Sequence, residues 1–145
     1  MKIIVVRTSL DISFQYDFVL FGINSPVKEY KLAWLLNQTC ICHFKKDQDI
    51  TLNKDGAATV SFTHYRYQRA SQVWRLLENR PSESGLPDIY LMPELSEWNF
   101  LLWLHDPGEH ISLSQLQQNL KTIPDIESFS QISVDLLANK DNLLF

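Results

Sequence analysis

"YLMPELSEWNFLLWLHD", residues 90–106, joins a proline-broken bend to one of the most apolar runs of the chain, Phe100 to Leu104. Two strands are expected here. Asp88 to Met92 reads as a strand stopped by Pro93, whose ring fixes φ and whose nitrogen cannot donate to a ladder. A second strand is expected from about Trp98 to His105, a short apolar run closed by the turn residues Asp106, Pro107 and Gly108. Glu94 lies between two apolar segments, where a carboxylate can satisfy backbone N–H groups at the bend.

Downstream, "ISLSQLQQNLKTIP" (111–124) has the signs of a helix. Ser112 with Gln115 makes a capping box, Ile111 can staple to Leu116, and Leu113, Leu116, Leu120 and Ile123 form one stripe. Pro124 ends it, and "SFSQISVDLL" (128–137) gives a closing strand. Upstream, "DISFQYDFVLFGINS" (11–25) alternates and then becomes continuously apolar from Phe18 to Phe21, a strand entering the core. Ser25 and Pro26 read as a helix N-cap and first position. That helix is expected to run to about Gln38 with Val27, Tyr30 and Trp34 on one stripe, followed by a strand at "TCICHF" (39–44). Phe18 to Phe44 and Phe100 to Val134 therefore share one pattern, strand–helix–strand.

Between them lies a β-rich middle. Ile50 and Leu52, an Asp55-Gly56 turn, then Ala58, Val60 and Phe62 in alternation make a strong hairpin signal. "QVWRLLE" (72–78) is a further strand, and "NRPSESGLPD" (79–88) is a loop by composition. The fold expected from these elements is α+β: a mostly antiparallel sheet with two helices on one face, a ferredoxin-like or split-βαβ plan with an inserted β-meander. The 145 residues suit a single domain, 1–145, able to bury a real core. The tail "ANKDNLLF" (138–145) ends apolar and is expected to dock.

Charge is spread unevenly: +1 over residues 1–60, +3 over 61–80 and −8 over 81–145, for a net −4. An acidic C-terminal half argues against general nucleic-acid binding, which rests on phosphate neutralisation. No apolar run approaches the ~20 residues of a membrane helix, so no membrane partner is expected. Two neighbouring cysteines make a poor disulfide framework, and a reducing cytoplasm is the expected compartment.

At "LMPELSEWNFLL" (91–102) the chain resembles the IPExxxVDY family. Pro93 and Glu94 match that signature letter for letter. Met92 stands for its isoleucine, Trp98 for its valine, Asn99 for its aspartate and Phe100 for its tyrosine. "YDFVLFGINSPVKEYKLAWLLN" (16–37) and "NLKTIPDIESFSQISVDLLANKDNLLF" (119–145) are similar to the family's opening and closing segments. The resemblance implies no activity, cofactor or catalytic residue.

Three groups carry candidate chemistry. "HYRYQRASQVWR" (64–75) interleaves bases and aromatics, with His64, Arg66 and Gln68 on one strand face and Tyr65 and Tyr67 on the other. Such a surface can bind RNA by stacking and charge, or an acidic protein, while edge-strand guarding accounts for the same arginines. Cys40, Cys42 and His43 supply thiolates and an imidazole, yet His43 points away from the cysteines in extended chain. His105, Asp106, Glu109 and His110 gather around a turn, where polar residues are ordinary. No P-loop, G-x-S-x-G, G-x-G-x-x-G or H-E-x-x-H motif occurs, so no catalytic residue, metal or cofactor is assigned. The expected function is a non-enzymatic protein-interaction module, binding a protein partner or itself, with Tyr65, Arg66, Tyr67, Arg69, Arg75, Glu94 and Glu97 as its candidate surface. An RNA-associated accessory protein is the alternative, and a small enzyme or metal protein the third reading.

Overall fold

The computed structural model describes residues 17–40, 42–54, 58–80 and 89–145. Its centre is Phe100–His105, which is buried at every position but the last. Phe100, Leu102 and Leu104 pack into one core, while Leu101 and Trp103 pack into another on the opposite face. A strand covered on both sides has no polar face to display, hence the uninterrupted apolar run.

In chain order the strands are β1 (Val19–Asn24), β2 (Lys45–Lys46), β3 (Ile50–Lys54), β4 (Ala58–Phe62), β5 (His64–Arg69), β6 (Gln72–Glu78), β7 (Phe100–His105) and β8 (Ser128–Ile132). The helices are α1 (Glu29–Thr39) and α2 (Leu113–Lys121). Six strands form one sheet in the order β2-β5-β6-β7-β1-β8, and every neighbouring pair is antiparallel. β7 and β8 therefore run parallel with β1 between them and α2 connecting them, which is a split βαβ unit. The four strands β8-β1-β7-β6 have the ferredoxin-like order, and β2 to β5 are inserted between α1 and β6. Both helices lie on one face: Leu32, Ala33, Leu36, Leu116, Leu120 and Ile123 join Phe21, Ile23, Trp74 and Leu76 in the first core. The other face is covered by the β3–β4 hairpin, with Ile50 opposite Phe62 and Leu52 opposite Val60, by Leu91, Met92 and Leu95, and by Leu137 and Leu143 of the C-terminal segment. The Asp55-Gly56 turn lies outside the described residues.

Six local expectations are corrected. α1 buries Leu32, Ala33 and Leu36, whereas Tyr30 and Trp34 are 63% and 56% exposed. The aliphatic set is narrow enough to lie close on the sheet, and it places the two aromatics on the outer face. Ser25 does not cap α1. Its hydroxyl donates to the Asp125 carbonyl at 2.7 Å, and the helix starts one turn later, after Lys28.

Cys42 to Phe44 form no strand. The Asn37 side chain takes the place of a partner strand, accepting the Phe44 N–H at 2.7 Å and donating to its carbonyl at 3.2 Å. Ile89 to Met92 are not a strand either. Leu91 and Met92 are buried in the second core, and their N–H groups are taken by the carbonyl and side chain of Asn79. The closing strand ends at Ile132 and turns into a short 3-10 segment, Val134–Leu136. Ser112 does cap α2, accepting the Gln115 N–H at 3.2 Å, but the Gln115 side chain donates forward to Asn119 instead of back to the cap.

Candidate interaction edges and the joint between them

The bend at Pro93 is a structural joint. Pro93–Leu95 form one 3-10 turn, and Asn79, fully buried, fixes the chain on either side of it. The Asn79 amide donates to the carbonyls of Leu95 at 3.0 Å and Trp98 at 3.1 Å and accepts the Met92 N–H at 2.8 Å. Its backbone N–H donates to the Asn99 carbonyl at 2.9 Å. The Asn99 side chain then accepts the Ser25 N–H, and the Asn99 N–H donates to the Asn24 side chain. Three asparagines thus stitch the ends of β1, β6 and β7 together. Nothing in the local sequence pointed to Asn79, the first residue of a segment read as loop, because its partners lie 12–20 residues away. Trp98 packs on Gly22 so closely that a Cβ there would overlap the indole.

The Glu94 carboxylate accepts the Asn139 N–H at 2.6 Å and the Asn139 side chain at 2.9 Å. Burial alone would raise its pKa, but these bonds, together with N–H groups of Glu94 and Ala138, hold it below the ordinary carboxylate value. The bend therefore anchors the C-terminal segment. Glu97 is exposed beside it.

Arg75 and Tyr65 are withdrawn from the surface. Tyr65 is buried beneath the helices. The Arg75 guanidinium lies 4.3 Å from the Phe145 ring centre and 5.2 Å from that of Trp103. It also meets His64 Nε2 at 3.1 Å. An arginine only donates, so Nε2 accepts and Nδ1–H donates to the Gln48 carbonyl at 3.2 Å, which fixes a neutral tautomer. Burial lowers the His64 pKa, a direction that the Gln48 carbonyl opposes and Arg75 reinforces. The Arg75 Nε is buried with no hydrogen-bond partner.

The remaining basic and aromatic residues meet at one side of the sheet. β2 is the edge strand there, both residues exposed lysines, with Lys45 opposite Arg66. The arginine-bearing strand β5 lies one place inward. Beyond the two pairs with β2, Tyr67, Gln68 and Arg69 form the border. Two clefts share Tyr67. One, of about 340 Å³, is lined by His43, Lys45, Lys46, Asp47 and Arg66. The other, of about 280 Å³, lies between Tyr67, Trp74 and the start of α2.

The opposite edge is β8. It reads Ser-Phe-Ser-Gln-Ile, carries no charge, and has three exposed and two half-buried residues. Among the described residues its only strand partner is β1. Leu136, 86% exposed, stands in the turn that follows.

Cys40 and Cys42 are free thiols. Burial pushes them up to about 11 and about 12, with Asn119 opposing at Cys40 and the charge of Cys40 adding at Cys42. Among the described residues no three of His, Cys, Asp and Glu stand close enough to hold a metal ion. His105 Nδ1 meets the Asp17 carbonyl at 2.9 Å, and Asp106 accepts the Ile111 N–H at 2.7 Å. No helix of the described residues is long and apolar enough to cross a membrane.

A larger cleft of about 650 Å³ opens at the start of α1 and is lined by Lys28, Glu29, Thr63, Glu78 and Arg80 among others. Glu78 is pushed up to about 7, first by burial and then by the charge of Glu29, with the Thr63 hydroxyl and Lys28 opposing. Compared with protein-family models, curated proteins and solved structures, the chain finds no match.

Proposed function

We propose that the protein is a non-enzymatic interaction module of the reducing cytoplasm that works as a dimer joined edge to edge through β8. The observation carrying this reading is the uncharged outer edge of β8, which has no second strand neighbour among the described residues. An exposed row of strand N–H and C=O groups without lysine, proline or bulge is a template for another strand. The partner that fits it by symmetry is a second copy. Antiparallel pairing about Ser130 puts Ser130 against Ser130, Phe129 against Gln131 and Ser128 against Ile132. That is an isologous contact, which closes after two chains and leaves no further edge of the same kind. Leu136, just past the strand, supplies apolar area beyond the backbone bonds. The two free thiols suit a reducing compartment.

We further propose membership of the IPExxxVDY family. It rests on the Pro93-Glu94 match, which lies at the start of the 3-10 turn, and on the likeness of residues 16–37 and 119–145 to the family's opening and closing segments.

Sedimentation velocity tests the dimer. The wild type should sediment at twice its 16.9 kDa, and Ser130→Lys, which sets like charges face to face across the two-fold, should sediment as a folded monomer. A wild type that stays monomeric at high micromolar concentration would overturn the proposal.

A further inference from the structure

We propose that the β2–β5 edge binds single-stranded nucleic acid, its phosphates along Lys45, Arg66 and Arg69 and one base seated in the cleft that Tyr67 and Trp74 form with the start of α2. Three features of the edge converge on that chemistry. First, the cations are not neutralised by carboxylates, although Arg66 donates to the Gln68 side chain at 2.7 Å. Lys46 is paired with Asp49 at 3.4 Å, but Lys45, Arg66 and Arg69 meet no carboxylate among the described residues. Asp47 is the one acidic side chain lining the basic cleft.

Second, the cations border one stretch of edge. Lys45 faces Arg66 across the strand pair, while Arg69, three residues further along β5 and about 10 Å away at the rise of a strand, projects from the other face with Tyr67, so a strand lying along the edge meets cations from both faces. Third, an aromatic floor lies beside them. Tyr67 lines both clefts and meets Trp74 edge-on, ring centres 6.1 Å apart. Gln72, Gln115 and Asn119 line the second cleft; Gln72 already accepts from Trp74 and Gln115 donates to Asn119, which leaves the Gln72 amide N–H groups and the Gln115 oxygen to read a base edge.

An extended acidic peptide would use the cations but leave the aromatic cleft idle. A nucleic-acid strand uses both, because phosphate neutralisation supplies affinity and every base has a face to stack. The chain as a whole carries −4, so a strand is repelled elsewhere and the contact is confined to this edge. With three cations engaged, the slope of log affinity against log salt should be about −2.

The test is fluorescence anisotropy with a labelled oligouridylate on the full chain, with poly-glutamate as competitor. Saturable binding at low salt is expected, with that shallow slope. Lys45→Glu with Arg66→Glu should weaken it at least thirtyfold. Tyr67→Ala should weaken it fivefold or more, and Tyr67→Phe should keep it within twofold. Because Tyr67 also packs on Trp74, Arg69→Glu on an exposed side chain is the second probe, expected to weaken binding with an unchanged thermal melt. Absence of saturable binding at low salt would overturn the proposal. So would displacement by poly-glutamate at equal charge concentration combined with indifference to Tyr67→Ala and Arg69→Glu.

Discussion

Among the described residues β2 and β8 each have one strand neighbour in the sheet, and they meet that position in opposite ways. β2 is two residues long and both are exposed lysines. β8 is five residues long with no charge. The first is blunted in the manner by which sheets avoid adding strands, and the second is left open to add one. A guarded edge stays free of other chains, so its surface is available to ligands of opposite charge. An unguarded edge stays soluble only when something covers it. One sheet thus carries two different interaction surfaces, and four changes should break or sharpen the contrast.

The largest effect belongs to the frame that supports both edges. Asn79→Ala removes the partner of the Met92 N–H and of the Trp98 carbonyl, and leaves the Leu95 carbonyl only the Trp98 N–H, a loss of about 3 kcal/mol at the cost of an unsatisfied buried group. Chemical denaturation should show it, and both edges should be lost together.

Gly22→Ala separates the edges. The new methyl displaces the Trp98 indole, and overpacking of this kind costs about 2 kcal/mol. Because β1 is the strand that holds β8, hydrogen exchange should quicken in β8 while β2 and β5 stay protected.

Removing the guard tests the other side. In a Ser130→Lys background, Lys45→Val with Lys46→Val should restore concentration-dependent association by at least tenfold, now through β2, as light scattering would report.

The smallest effect should touch neither edge. Glu78 has a raised pKa, so its neutral form is favoured by folding. That stability is complete below the ordinary carboxylate value and is lost as pH rises through about 7. Glu78→Gln should therefore match the wild type near pH 4 and exceed it at pH 8 by about 1 kcal/mol, the shift discounted for a side chain that is still half in solvent. Thermal melts at the two pH values would measure it, with the sedimentation profile unchanged.

Much of this architecture is written locally. β6 spans the seven residues read as a strand, the β3–β4 register places Val60 and Phe62 on the core side, and Ser112 caps α2 as its spacing requires. Local pattern fails where distant groups decide. Tyr30 and Trp34 satisfy a helical stripe as well as Leu32 and Leu36 do, and only the packing of α1 on the sheet selects the aliphatic set. Asp88 to Met92 has strand composition, but the Asn79 side chain takes the Met92 N–H that a neighbouring strand would otherwise claim.

The candidate surface divides the same way. Alternation puts Tyr65 opposite Arg66 in facing, yet which face is covered by helices depends on the whole sheet. Arg75 looks like a surface base until Phe145, seventy positions on, lies over it. The two edges themselves could be named only after the strand order was known, since nothing in "SFSQI" says that it comes last.

The most direct measurement mixes two charge variants. Ser130→Lys and Ser130→Glu should each sediment alone as a folded monomer of 16.9 kDa, and an equimolar mixture should form a species of twice that mass held by opposite charges at the two-fold. If each variant alone keeps the wild-type mass, or if the mixture stays monomeric while the wild type is a dimer, β8 is not the surface that joins the chains.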